Sequence, residues 1–214
     1  MRMCQYLVKI FLVLVTINLA YGASVYAELM KLDFEGSVTS ISPPYATPGI
    51  NLGDNVFGEL IYDSATPDGQ PSIWMGYYED PIKSFKLIIG GNNFPMLTPP
   101  NTSEIDIIND ELVWSTYHDY ILFRVAVIDQ STEVTRFFQL TFAQSDTIPP
   151  TVLTSGALTA ALDINEFETK TGFLTYIPPG ASEGNNITLT YVNLYPVNQN
   201  SGSKIPPWLM LLLD

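Results

Sequence analysis

Gly53-Asp54-Asn55-Val56-Phe57-Gly58-Glu59-Leu60-Ile61-Tyr62-Asp63 and Ser84-Phe85-Lys86-Leu87-Ile88-Ile89-Gly90-Gly91 are two alternating runs separated by a loop rich in Gly, Pro, Asp and aromatic residues. In the first, Val56, Leu60 and Tyr62 share a parity, with Gly58 among them at a position suited to a bulge or a close packing contact. In the second, Phe85, Leu87 and Ile89 share a face. Period-two alternation of this kind predicts half-buried strands joined over the surface.

The same pattern extends in both directions. Met30, Leu32, Phe34 and Val38 fall on one parity, and Lys31, Asp33, Glu35, Ser37 and Thr39 on the other, a strand with one wet face. Ser42 to Gly53 is a proline-rich loop. Further on, Ile105 and Ile107 predict a short strand, with Asn109-Asp110 as a turn. Val113–Tyr117 and Tyr120–Ile128 read as hairpin arms around a His118-Asp119 turn. Thr135–Ala143, Gly172–Ile177 and Ile187–Leu194 complete the set, and Leu158–Ile164 fits a short strand or one helical turn equally well. No segment sustains helical periodicity and no solenoid-length repeat recurs. The expectation is an all-β antiparallel sandwich or open barrel of about eight to ten short strands.

Bulk composition narrows the function. The 214 residues carry 46% hydrophobic and 14% charged side chains, enough apolar material for one core, with 14 Gly and 16 Pro spread as punctuation. The net charge is −13. That disfavours nucleic acid as a partner, because phosphate neutralisation requires Lys and Arg.

Residues 1–27 read as a secretory signal peptide: Arg2 and Lys9, the apolar run Ile10–Ala20, and small residues before Ala23 or before Glu28. Contact with the membrane is then confined to export. Its removal leaves seven basic and 22 acidic residues and takes away Cys4, the only cysteine, so the mature chain has neither thiol nor disulfide. Residues 28–197 form the predicted domain, followed by a polar tail, 198–214, that ends Ile205-Pro206-Pro207-Trp208 and a short apolar run. That run is too short to span a bilayer.

Leu32-Asp33-Phe34-Glu35-Gly36-Ser37-Val38-Thr39-Ser40-Ile41 resembles the opening strand of exported bacterial PEP-CTERM proteins. In order after it come Gly53, Asp54, Val56, Gly58, Tyr62 and Asp63; then Gly76-Tyr77-Tyr78; then Ser84, Phe85, Leu87, Ile89, Gly90 and Gly91. Leu158, Asp163, Phe167 and Phe173, then Ile187-Thr188-Leu189-Thr190, are similar to the closing strands. The resemblance covers roughly residues 30–195 and implies a β-domain exported by a Gram-negative, exopolysaccharide-making bacterium. The family's sorting signal is Pro-Glu-Pro, a membrane helix and a basic end. Here Ile205-Pro206-Pro207 lacks the Glu and Asp214 stands in place of the basic cluster, a degenerate or truncated signal.

Candidate chemistry is sparse. His118 with Ser115 and Asp119 suggests a hydrolase, but no Gly-x-Ser-x-Gly elbow accompanies it, and a turn histidine is the plainer account. Glu59 with Asp63, and Glu166 with Glu168, are spaced for paired carboxylates, as chance allows in any acidic chain. Asp163, Asn165, Glu166 and Glu168 crowd oxygen ligands that suit calcium, as do residues 106–111, though neither has the EF-hand spacing. Trp74, Tyr77 and Tyr78 would stack on sugar rings if exposed, or close one end of the core if buried. The expectation is an exported, non-enzymatic protein of the extracellular space or envelope. The alternative is a carbohydrate-binding module for extracellular polysaccharide that uses these aromatics with calcium.

Overall fold

The computed structural model describes residues 28–42, 47–72, 74–98, 100–113, 115–146, 150, 152–153, 155–158, 162–176 and 184–197. The expected leader and tail lie outside the described residues.

Among the described residues ten strands form one antiparallel sheet: β1 (Leu29–Ile41), β2 (Asn55–Asp63), β3 (Met75–Glu79), β4 (Ile82–Ile89), β5 (Asn92–Asn93), β6 (Ser103–Val113), β7 (Thr116–Asp129), β8 (Val134–Asp146), β9 (Thr169–Tyr176) and β10 (Gly184–Pro196). Their order across the sheet is β3-β6-β7-β8-β9-β10-β1-β2-β4-β5. The sheet curls into a half-barrel, as the alternating runs predict. Its two ends are tied together. The chain passes from β3 to β4, near opposite edges of the sheet, through Asp80-Pro81 alone. Past β5, Leu97 N–H donates to Ala126 O (2.9 Å) and Ile128 N–H to Pro95 O (2.9 Å), which stitches that edge to β7.

The inward residues follow the alternation. Met30, Leu32, Phe34 and Val38 of β1 face Val56, Leu60 and Tyr62 of β2, all buried. Phe34 lies directly opposite Gly58, and its ring occupies the space a Cβ there would need: Phe34 Cζ would sit 1.9 Å from it. The other face of the core comes from β7 and β8. Phe34 stacks on Phe138 with centroids 5.6 Å apart and planes 13° apart. Phe85 also meets Phe138 (5.6 Å), and Tyr62 meets Phe123 (5.7 Å). Each such ring, fully buried, contributes about 1.5–3 kcal/mol by transfer from water.

Two expectations are corrected. His118-Asp119 is not a turn; both residues lie within β7, and the chain reverses between Val113 of β6 and Thr116 of β7, where Ser115 has φ +74°. Asn109-Asp110 is likewise no turn but a bulge inside the continuous β6, between the Ile108 and Glu111 pairings, with Asp110 at φ +56°. Asn and Asp tolerate the left-handed region, so they serve bulges as readily as turns. Among the described residues of 155–168 there is neither strand nor helix. This segment lays Leu158, Ile164 and Phe167 on the core as irregular chain.

Gly58→Ala is expected to lower the unfolding free energy by about 1–3 kcal/mol through overpacking against Phe34. In a double-mutant cycle by urea titration, Phe34→Leu should relieve part of that loss. Additive effects would show that the ring does not rest on the glycine.

Candidate functional site

The three aromatics singled out by sequence do not form one surface. In β3, alternation points Met75, Tyr77 and Glu79 outward and Gly76 and Tyr78 inward. Tyr78 is 4% exposed; its hydroxyl donates to Gly156 O (2.9 Å) and accepts from Leu158 N–H (2.7 Å). Burial raises its hydroxyl above the ordinary tyrosine value, against the lowering effect of the Leu158 bond. Tyr78 is therefore a buried anchor for the 155–158 segment and offers no sugar-stacking face. Gly76 permits the same approach, because a Cβ there would lie 2.0 Å from Gly156 O.

Trp74 precedes the strand and is 55% exposed. Its amide donates to Ser72 Oγ (3.1 Å) and its carbonyl accepts from Asn109 N–H (2.8 Å). Tyr77 is half-buried and lines a small cleft of about 90 Å³ with Glu79, Glu104, Arg124 and Phe137. Glu79 and Glu104 are cross-strand partners, and Arg124 forms an ion pair with Glu104. Sequence reasoning missed this carboxylate pair. The sequence pattern places the five residues of β3 in a loop, and a loop has no register to connect Glu79 to Glu104.

Neighbours on a strand point to opposite faces, and this separates the proposed hydrolase residues. His118 faces outward and its Nδ1 lies 2.7 Å from Ser145 Oγ, its β8 partner. Asp119 faces inward and is fully buried. Its Oδ1 accepts from Asp110 N–H (2.8 Å) and its Oδ2 from Leu153 N–H (2.8 Å). It fixes the β6 bulge and the start of the irregular segment. The histidine and the acid thus serve different sides of the sheet. Burial pushes the Asp119 carboxyl above its usual range, opposed by the two N–H donors and reinforced by Asp110.

The other carboxylates are also engaged. Glu59 pairs with Lys31 (2.5 Å), whereas Asp63 accepts from Ala65 N–H (2.9 Å) in a local turn. Asp163, Asn165, Glu166 and Glu168 are all exposed. Asp163 Oδ1 accepts from Asn165 N–H (3.0 Å), and Lys170 Nζ donates to the carbonyls of Asn165 (3.2 Å) and Phe167 (2.6 Å). An ammonium thus sits on carbonyl oxygens that a calcium ion would want. No group of three or more His, Cys, Asp or Glu is placed to hold a metal among the described residues.

Asp80 and Asp129 complete the pattern. Asp80, at φ +47° on the β3–β4 corner, accepts from the N–H groups of Asn101 (2.6 Å), Thr102 (2.9 Å) and Ser103 (3.1 Å). Burial opposes its charge, but those donors and Lys83 outweigh it and hold the carboxyl below its usual value. Asp129 is buried with Arg136 (3.3 Å) and caps the β7–β8 turn through Ser131 N–H (3.0 Å) and Oγ (2.6 Å). Its carboxyl too is lowered: burial is opposed and outweighed by Ser131, Thr132 and Arg136.

With this geometry established, comparison of the chain with protein-family models, curated proteins and solved structures found no match.

The two kinds of carboxylate predict opposite pH windows. Asp80 and Asp129, lowered, contribute stability above the ordinary aspartate value of about 3.9 and lose it as pH falls through their folded values. Asp119, raised, contributes below about 3.9, and that contribution is lost as pH rises through its folded value. Unfolding free energies measured across this range should therefore fall less steeply above about pH 4 in Asp119→Asn than in the parent. Parallel curves would show that Asp119 does not titrate there.

Proposed function

We propose that the chain is an exported, non-enzymatic β-protein of the extracellular space or cell envelope, acting through the surfaces it presents. The observation that carries this reading is how the fold uses its acids. The oxygens of Asp80, Asp119 and Asp129 serve as acceptors for main-chain N–H groups of this chain and for Arg136. Carboxylates committed in this way close the sheet, and the domain 28–197 contains no cysteine. Stability that rests on carboxylate ties and aromatic burial is indifferent to the redox state of the compartment. The composition of residues 1–27 and the resemblance to PEP-CTERM-type proteins support export as the route.

A second reading, polysaccharide binding, is favoured by one specific observation: the large apolar ring of Trp74 is left 55% exposed on a strongly acidic protein. Tyr78 takes no part in that reading.

Expressed with its own N-terminus in a Gram-negative host, the protein should appear outside the cytosol. Mass spectrometry should find a mature start at Ala23 or Glu28. Accumulation in the cytosol with Met1 to Ala27 intact would overturn the export reading.

A further inference from the structure

A second, wider concavity lies away from β3, on the outer face of β9 and β10. The ladder between these strands ends at the Thr188–Thr171 pair, although β9 begins two residues earlier and β10 continues to Pro196. Beyond Thr188, the described ladder of β10 is with β1 alone. A register shift there leaves Thr190 as the extra residue of β10 between the Glu35–Tyr191 and Gly36–Leu189 pairs. Where the strands part, they leave an open groove of about 640 Å³. That lies inside the range of roughly 300–1,000 Å³ typical of ligand sites, whereas the cleft at Tyr77 falls well below it.

Hydroxyls predominate in the groove, beside Asn165 and Val192. Thr169, Thr171, Thr188 and Thr190 line it, together with Tyr191, which is 49% exposed. Two charged residues reach it, Glu168 and Lys170, and they sum to zero; the ammonium of Lys170 is turned onto the Asn165 and Phe167 carbonyls. Small neutral polar side chains continue across the sheet, four hydroxyls and one carboxamide. Thr141, Thr171, Thr188, Ser37 and Asn55 are successive register partners on β8, β9, β10, β1 and β2. At the usual strand spacing this row is roughly 19 Å long. Thr188 Oγ1 donates to Thr39 Oγ1 (3.3 Å) and Thr190 Oγ1 to Glu35 O (3.5 Å), so side-chain hydroxyls on this face are held in place.

We propose that this groove binds a neutral, extended polysaccharide, with Tyr191 stacking on a sugar ring and the threonine hydroxyls exchanging hydrogen bonds with sugar hydroxyls. Aligned neutral hydroxyls match the alternating donors and acceptors of a polyol, and an exposed phenol ring matches the C–H face of a pyranose. An acidic polymer is disfavoured by the net charge of −13. The inference rests on the extracellular reading above and moves the sugar site from Trp74 to Tyr191.

The test is a depletion isotherm with the secreted full chain on insoluble cellulose, chitin and β-1,3-glucan, with alginate beads as the anionic comparison. The parent protein should be retained on at least one neutral polymer and not on alginate. Tyr191→Ala, and separately Thr188→Val, should weaken retention roughly tenfold, the loss expected for one stacking contact or one hydrogen bond. Both substitutions are at exposed sites, and thermal melts should match the parent. Trp74→Ala should bind as the parent does. Three outcomes would each overturn the groove: no retention on any neutral polymer, unchanged binding by Tyr191→Ala, or a loss confined to Trp74→Ala. Export is read independently from the mature N-terminus, so any of these would leave the proposed location standing.

Discussion

The stacking of Phe34 between Gly58 and Phe138 is the contact on which the rest of the molecule depends. A curled sheet must let its inner faces approach closely while every strand keeps its register. Gly58 removes one side chain from β2, and the Phe34 ring fills that vacancy from the neighbouring strand, a cross-strand exchange of volume that pins β1 against β2. The same ring then reaches Phe138 on β8, so the registers of strands far apart in the sheet are set by one packing contact. Phe85 and the Tyr62–Phe123–Phe142 chain of tilted and edge-on rings continue the aromatic contacts along the core.

Burying apolar faces does not by itself close a half-barrel, because the loops that cross its rim bring main-chain polar groups with them. An unpaired N–H buried at a rim costs on the order of 1–3 kcal/mol. In this chain, side chains answer that cost. Asp80 takes three N–H groups at the β3–β4 corner, Asp119 takes one from a bulge and one from the irregular segment, and the Tyr78 hydroxyl bonds both Gly156 and Leu158. Where other small domains use disulfides, this chain uses carboxylates and a phenol. The consequence for chemistry is direct: acids that hold the frame are not available to a substrate.

The two outer faces that carry concavities are not alike. The β3 edge offers Trp74 and a cramped charged cleft containing Glu79, Glu104 and Arg124. The face over β9 and β10 offers a wider opening of zero net charge, lined mostly by hydroxyls, where the pairing of two strands stops. The difference arises from topology. β6 and β7 stay paired along their length, closing up the outer surface, whereas β9 and β10 share only five residue pairs.

Alternation determined the all-β class and the inward residues of β1, β2 and β4, because period two is a local property that the sequence carries by itself; it left Gly58 as a bulge or a close contact, and only its register with Phe34 decided for the contact. The acidic, thiol-free character of the domain was equally legible. Registers and faces were not. His118-Asp119 resembles a turn pair, yet the reversal falls at Ser115, since Asp119 is pulled inward by the N–H groups of Asp110 and Leu153, which are distant in the chain or displaced by a bulge. Tyr77 and Tyr78 are adjacent letters, and only the pairing of β3 with β6 put one outside and the other in the core. The threonines of β9 and β10 read as ordinary strand residues until the early end of their ladder made them the lining of a groove. Such features depend on which strands meet and where their pairing stops, and that is set by long-range packing rather than by any local pattern.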